Sequence, residues 1–161
     1  SIMQDIQLKG DIDDKMVGEA VSGKIADNST VIVNSNGGYI DSAIDIVDEI
    51  EKHTNVTVIA DRRCMSAAMF ILLSVPVSQR KARKNTTFMI HYPSVELADG
   101  DYKARELSNI VTELNSTGEA VRDVILENID CDARIIDSMM QGEQFFSEKT
   151  ALALGIISEI V

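Results

Sequence analysis

Histidine is scarce in this chain, which carries only His53 and His91, and tryptophan is absent. Any mechanism that needs an imidazole therefore has two candidates. Cysteine is equally sparse. Cys64 and Cys131 form neither a CxxC pair nor a Cys/His cluster, so zinc-type spacing is missing and no metal or cofactor is expected. Both are expected to be reduced thiols. No long uncharged apolar run occurs, and the N-terminus lacks a basic-then-apolar pattern. Neither a membrane span nor export is expected, which points to the cytoplasm. Basic residues are outnumbered, 15 against 26 acidic, for a net charge of −11. No basic stripe with interleaved aromatics offsets this, so nucleic acid is not an expected partner. The densest basic segment, Arg80, Lys81, Arg83 and Lys84, reads as a solvated strand edge. With two prolines, no repeat and no Pro/Ser-rich linker, residues 1–161 read as one domain.

What is present is an alternation. Runs rich in β-branched residues at Ile6–Leu8, Thr30–Val33, Val56–Ala60 and Thr87–Ile90 read as strands, with helix-period segments between most of them. That pattern suggests α/β units. From Tyr39 to Glu51, Ile40, Ala43, Ile44, Val47 and Ile50 share one helical face, and the acids fall largely outside it. A second helix, apolar all round and so buried, is expected from Ser66 to Leu73, ending before Pro76. Residues 101–140 read as two or three helices, with breaks near Ser116–Gly118 and Asp130–Asp132. A strand at Gln144–Phe146, a helix at Glu148–Leu154, a Gly155 stop and a strand at Ile156–Ile160 close the chain.

Three segments carry candidate chemistry. Asn34-Ser35-Asn36-Gly37-Gly38 lies between a strand and a helix, where two glycines let the backbone turn sharply and approach a ligand; on these residues alone an ordinary strand-to-helix turn is the preferred reading. Ser66, in Cys64-Met65-Ser66-Ala67-Ala68, is flanked by small residues at a helix start. It reads either as an N-cap or as a nucleophile beside amides able to stabilise an oxyanion. His91, in Met89-Ile90-His91-Tyr92-Pro93, ends an apolar strand and is either structural or the base for such a serine. His53 lies at an exposed helix end, where it complements the helix dipole.

In order and spacing these segments resemble the proteolytic subunits of the Clp protease family (ClpP type), over nearly the whole chain from about Ile6 to Val161. VIVNSNGGY (Val31–Tyr39) resembles that family's strand and glycine-glycine turn, with Asn36 where proline is usual. CMSAAMFILL (Cys64–Leu73) resembles its nucleophile segment and FMIHYP (Phe88–Pro93) its base segment. The serine-to-histidine separation of twenty-five residues also matches. KAREL (Lys103–Leu107) resembles the start of its handle helix, and QFFSEKTALALGIISEIV (Gln144–Val161) its C-terminal strand-helix-strand.

The resemblance implies an α/β fold of stacked ββα units, shared with crotonases, with a protruding helical handle at about 101–128. It implies a serine endopeptidase in which Ser66 attacks, His91 is the base, and the amides of Gly38 and Ala67 form the oxyanion hole. The register through Phe145 and Ser147 puts Glu143 where the family has its third, acidic residue, with Asp137 as the alternative. Bound peptide is expected to lie extended between Gly38, Tyr39 and Ile40 on one side and Ser94 and Val95 on the other. Expected partners are copies of itself in stacked seven-membered rings, a Clp-type ring ATPase, and polypeptide substrates.

The sequence departs from the family in several places. The first strand comes within about five residues, which bears on coupling to an ATPase. Asp61-Arg62-Arg63 replaces a usual glycine, Ala68 replaces another, and Gln141-Gly142 stands where a Glu-Arg pair is usual. The brevity suits a virus-encoded version acting in a host cytoplasm. The competing readings are a catalytically silent subunit that modulates another ring, a crotonase-type acyl-CoA enzyme, and a serine-lysine peptidase.

Overall fold

The computed structural model describes residues 5–161, so residues 1–4 of the expected domain lie outside the described residues. In chain order the elements are β1 (Ile6–Lys9), α1 (Asp14–Met16) running into a π-helical turn (Val17–Val21), β2 (Thr30–Ser35), α2 (Ile40–Glu51), β3 (Thr57–Met65), α3 (Ala68–Leu73), β4 (Arg80–Ala82), β5 (Thr87–Met89), α4 (Ala104–Asn128), α5 (Ala133–Gly142), β6 (Phe145–Ser147), α6 (Glu148–Ala153) and β7 (Glu159–Ile160). The fold is α/β, as the alternation implied. Strands run in the order β1-β2-β3-β4-β7, all parallel, and β5 and β6 branch from the far end of β3.

β3 is the element that positions the site. Expected to stop at Ala60, it continues to Met65 by changing neighbour. Its first half pairs with β4 (Val58↔Arg80, Ala60↔Ala82) and its second half with β5 (Arg63↔Thr87, Met65↔Met89). The change of direction occurs at Arg62, which takes a left-handed backbone (φ 68°) and donates its amide to Thr86 Oγ1 at 3.3 Å. The segment Asp61-Arg62-Arg63, outside the strand expected from sequence, is thus part of a kinked strand. Alternation fails there because the strand kinks as it exchanges β4 for β5 within the one sheet.

Four further expectations are corrected. The nucleophile helix starts at Ala68, not Ser66, since Ser66 itself adopts a left-handed backbone (φ 55°). The break near Ser116–Gly118 does not occur, and α4 runs unbroken for 25 residues. Gly118 is there for packing: an added Cβ would stand 3.2 Å from Tyr92 Cδ1, so glycine lets the helix close on that ring. On α2 the buried residues include Ala43, Ile46 and Ile50, while Ile44 is 48% exposed in a groove shared with Val47, Phe70 and Val124. The last strand is only Glu159–Ile160, because Ile156 and Ile157 are spent in the core.

The basic segment is also not a solvated edge, because β4 lies between β3 and β7. Lys81 and Arg83 do form surface ion pairs, with Glu159 and Asp61. Arg80, however, is only 3% exposed. Its guanidinium donates to the carbonyls of Val75 (2.8 Å), Asn128 (2.8 Å) and Leu73 (3.4 Å). The last two are C-terminal residues of α4 and α3, where backbone carbonyls lack helical partners and carry partial negative charge. Burial lowers the Arg80 pKa from its ordinary value, yet the side chain stays a cation tying the two helix ends together.

Arg80→Ala should therefore cost about 3 kcal/mol, the scale of losing charge-assisted bonds and stranding buried carbonyls. Urea unfolding at fixed protein concentration should show a lower midpoint at unchanged slope, while Lys81→Ala stays within about 0.5 kcal/mol of the parent. Equal effects of the two changes would refute the capping role.

Candidate active site

Two strand registers bring the candidate residues together. β3 and β5 are parallel with Met65 beside Met89, and one residue further on the Ser66 amide donates to the Met89 carbonyl at 2.8 Å. That bond pins the turn after β3 against the strand leading to His91. β5 and β6 are antiparallel, with Phe88 opposite Phe146 and their rings stacked at 5.5 Å. Extending this register by two residues on each strand sets Glu143 opposite His91.

The outcome is a line of polar groups. Ser66 Oγ lies 2.8 Å from His91 Nε2. His91 Nδ1 lies 2.6 Å from the Tyr92 carbonyl oxygen and 4.0 Å from Glu143 Oε1. Both neighbours of Nδ1 are acceptors, so Nδ1 carries the hydrogen of the neutral ring. Nε2 is then the lone-pair nitrogen and accepts from the Ser66 hydroxyl, the arrangement a general base requires. The His91 side chain is 19% exposed and that of Glu143 is 67% exposed. Glu143 follows α5 with a left-handed backbone (φ 47°). Asp137 is brought elsewhere: Arg122 grips its carboxylate at 2.5 and 3.2 Å, and Tyr92 Oη donates to it at 3.4 Å. The Arg122 hydrogen bonds hold the Asp137 pKa below its usual value.

The glycine turn faces the serine. Ile12 donates its amide to the Gly37 carbonyl and accepts from the Tyr39 amide, so it pairs around Gly38 in parallel. Peptide groups alternate edges along an extended chain, which leaves the Gly38 N–H on the opposite side, toward the cavity. The Gly37 amide is used internally by Ser35 Oγ at 3.0 Å. The amides of Gly38 and Ala67 have no acceptor among the described residues, and Ala67 sits at the open N-terminal end of α3. Close approach requires both glycines: a Cβ on Gly37 would fall 2.8 Å from Ser66 Cβ, and one on Gly38 would fall 2.2 Å from the Ile12 carbonyl oxygen.

Gly38, Ser66, Ala67 and His91 share one cavity of about 190 Å³, walled on its apolar side by Met69, Phe70, Ile90, Pro93, Val121 and Ile125. Ile40 and Ser94 also line it, whereas Tyr39 (72% exposed) and Val95 (50% exposed) lie outside its wall. Cys64 is fully buried just before the serine, where burial pushes its thiol up to about 12, so it is no competing nucleophile. His53 stands apart, 3.4 Å from Asp27. The reading from sequence missed Tyr92, Arg122 and Gly118, and the only available signal was the glycine in an otherwise good helix pattern. It also missed Arg63, whose guanidinium donates to Asn36 Oδ1 at 3.3 Å and ties the glycine turn to β3. Among the described residues, no group of three or more His, Cys, Asp or Glu is placed to hold a metal ion. No helix there is long and apolar enough to cross a membrane.

Comparison with known proteins agrees in extent. The Clp protease family model matches residues 3–161. The chain is 30% identical over 145 residues to the ATP-dependent Clp protease proteolytic subunit 3 of Rhizobium meliloti, covering 84% of this chain and 68% of that protein. In structure it superposes on a point mutant of ClpP1 from Listeria monocytogenes with a TM-score of 0.85 at 23% identity, covering 99% of this chain and 91% of the other.

Gly38→Ala keeps its backbone N–H, but the methyl would fall 2.2 Å from the Ile12 carbonyl oxygen and push the amide out of place. Covalent modification of Ser66 by a fluorophosphonate should slow about 100-fold, the usual scale for losing one such donor. Gly18→Ala, where a methyl meets nothing within 4 Å, should leave the rate unchanged. Equal rates for Gly38→Ala and the parent would remove Gly38 from the oxyanion site.

Proposed function

Because the chain belongs to the Clp protease family, we propose that it is a working serine endopeptidase subunit, with Ser66 as nucleophile, His91 as general base and the Gly38 and Ala67 amides as oxyanion hole. The observation that carries this reading is the 2.8 Å contact from Ser66 Oγ to His91 Nε2, beside two amides without other acceptors. Ser66 Oγ bonds to the carbonyl carbon of a peptide while its proton passes to Nε2. The carbonyl oxygen, now negative, accepts from Gly38 and Ala67 N–H. When the C–N bond breaks, His91 returns the proton to the departing amine. Water then repeats the sequence on the acyl-enzyme and frees Ser66.

Glu143 takes the part of the third residue. It lies 4.0 Å from Nδ1, while the Tyr92 carbonyl holds the ring's hydrogen bond. The apolar wall of the cavity takes an apolar side chain next to the cleaved bond. The peptide backbone lies along Gly38–Ile40 and Ser94–Val95 as an added strand, which reads little sequence.

Selection then falls to access. α4 is about 37 Å long at the rise of an ideal helix. From Ala104 to Thr117 it contains no buried residue, and Leu107 and Val111 are exposed. An apolar face projecting this far supports assembly, and the reading includes seven-membered rings stacked through these helices, enclosing the active sites in a chamber. Unfolded polypeptides, fed by a Clp-type ATPase in the cytoplasm, are the substrates. Glu143's exposure and distance favour one competitor, a silent subunit that mixes into another ring.

A fluorophosphonate should label Ser66 in the intact oligomer. His91→Ala should cut the rate by at least about 10³-fold, and Glu143→Gln by about 10- to 100-fold. Native mass measurement of the labelled particle gives the ring size. An assembled particle that never labels would favour the silent subunit, and labelling that survives His91→Ala would assign the base to another group.

A further inference from the structure

We propose that Tyr92 is a positioning residue for the base: held from its side chain by Asp137, Arg122 and Gly118, it presents its backbone carbonyl to His91 Nδ1 and so fixes the reactive tautomer. This inference rests on the function proposed above, since it assigns a purpose to a contact within the same site.

One acceptor must hold the imidazole in place. A carboxylate within hydrogen-bond reach of Nδ1 would normally fix the ring. Here the nearest one, Glu143, lies at 4.0 Å on an exposed side chain, too far to fix the direction of an N–H. The short contact is to the Tyr92 carbonyl, at 2.6 Å. A carbonyl only accepts, so this contact sets the hydrogen on Nδ1 and frees Nε2 for the Ser66 proton. The orientation of one peptide group therefore decides whether His91 is a base toward Ser66.

The Tyr92 peptide lies outside the sheet, since β5 ends at Met89 and regular structure resumes only at Ala104. Ladder hydrogen bonds do not hold it. Its side chain is held instead from two helices. Tyr92 Oη donates to Asp137 Oδ1 on α5. Arg122 on α4 clamps the same carboxylate in two-point geometry. One turn earlier on α4, Gly118 lets the helix come close to the ring, where an added Cβ would stand 3.2 Å from Cδ1. Arg122 neutralises Asp137, so the network supplies direction to the base loop rather than charge. It also couples the base to the docking of α4, whose N-terminal half projects beyond the body of the molecule.

Nitrogen-15 spectra of histidine-labelled, sedimented protein under magic-angle spinning report ring tautomers whatever the particle size. With two histidines in the chain, a His53→Asn variant assigns the signals. In the parent protein the neutral His91 ring should be protonated on Nδ1 and bare on Nε2. Tyr92→Phe keeps the ring against Gly118 and removes only the hydroxyl, and Asp137→Asn removes the charge. Each should lower the ratio of Nδ1–H to Nε2–H about 3- to 10-fold and lower kcat in parallel, with KM within about twofold, the scale of one hydrogen bond. The double variant should be no worse than the weaker single variant, because both act on one contact. Arg122→Gln should shift the tautomer in the same direction.

An unchanged tautomer ratio in both single variants overturns the proposal, even if they unfold more easily, because a role confined to anchoring α4 would move stability alone. Additive losses in the double variant would overturn it as well. If Ser66 of the parent proves inert to fluorophosphonate, the peptidase reading fails, and the spectra still decide whether Tyr92 sets the ring.

Discussion

The hydrogen bond from the Ser66 amide to the Met89 carbonyl is the constraint on which the site depends. It is the last rung of the β3–β5 pairing, and it exists only because β3 kinks at Arg62 and leaves β4 for β5. Were β3 to continue straight, its end would carry Ser66 past the wrong neighbour, and a serine 25 residues from its histidine in sequence would have no reason to meet it in space. At two of the left-handed non-glycine residues, Arg62 and Ser66, the chain accepts local backbone strain to make the turn. Strain of order 1–3 kcal/mol per residue persists only when surrounding contacts fix the conformation. At Ser66 those contacts are the Met89 rung, the packed Gly37 and the all-apolar α3 that follows.

Once that rung is set, the remaining geometry follows from registers. The antiparallel β5–β6 pair carries Glu143 opposite His91, and the parallel bridge at Ile12 aims the Gly38 amide into the cavity. Both amides that face the cavity are left without protein acceptors, an arrangement that costs free energy in the empty protein. In the proposed reaction the same arrangement requires no reorganisation when an oxyanion forms. Stability is recovered away from the chemistry, in the core under α2 and α3 and in Arg80, which joins the C-termini of α3 and α4.

Much of this was legible in the sequence because it is periodic or punctuated. The β-branched runs, the acidic face of α2, the uniformly apolar α3 and the stop at Gly155 each follow a local rule, and the ordered motifs around Gly38, Ser66 and His91 carried the family resemblance. What was not legible depends on partners distant in sequence. Arg80 has the composition of a surface residue and is buried only because two helix ends converge on it. Gly118 carries the signal of a helix break, yet serves a close contact with Tyr92, 26 residues earlier, which no local rule can anticipate. Arg62 falls outside the strand expected from sequence because a strand that kinks and changes partner loses its alternation. Glu143 could be reached from sequence only through the register of Phe145 and Ser147, and nothing there indicated its 4.0 Å separation from the ring.

The central claim is spatial: the hydroxyl of Ser66, the Nε2 atom of His91 and two backbone amides converge on one reacting carbonyl. A crystal structure of the protein treated with a peptide boronate tests this most directly. The account predicts boron bonded to Ser66 Oγ, one boronate oxygen within hydrogen-bond distance of both the Gly38 and Ala67 amides, and the apolar side chain in the cavity beside Met69 and Phe70. A boronate found on another residue, or bound to Ser66 with its oxygens turned away from both amides, would contradict it.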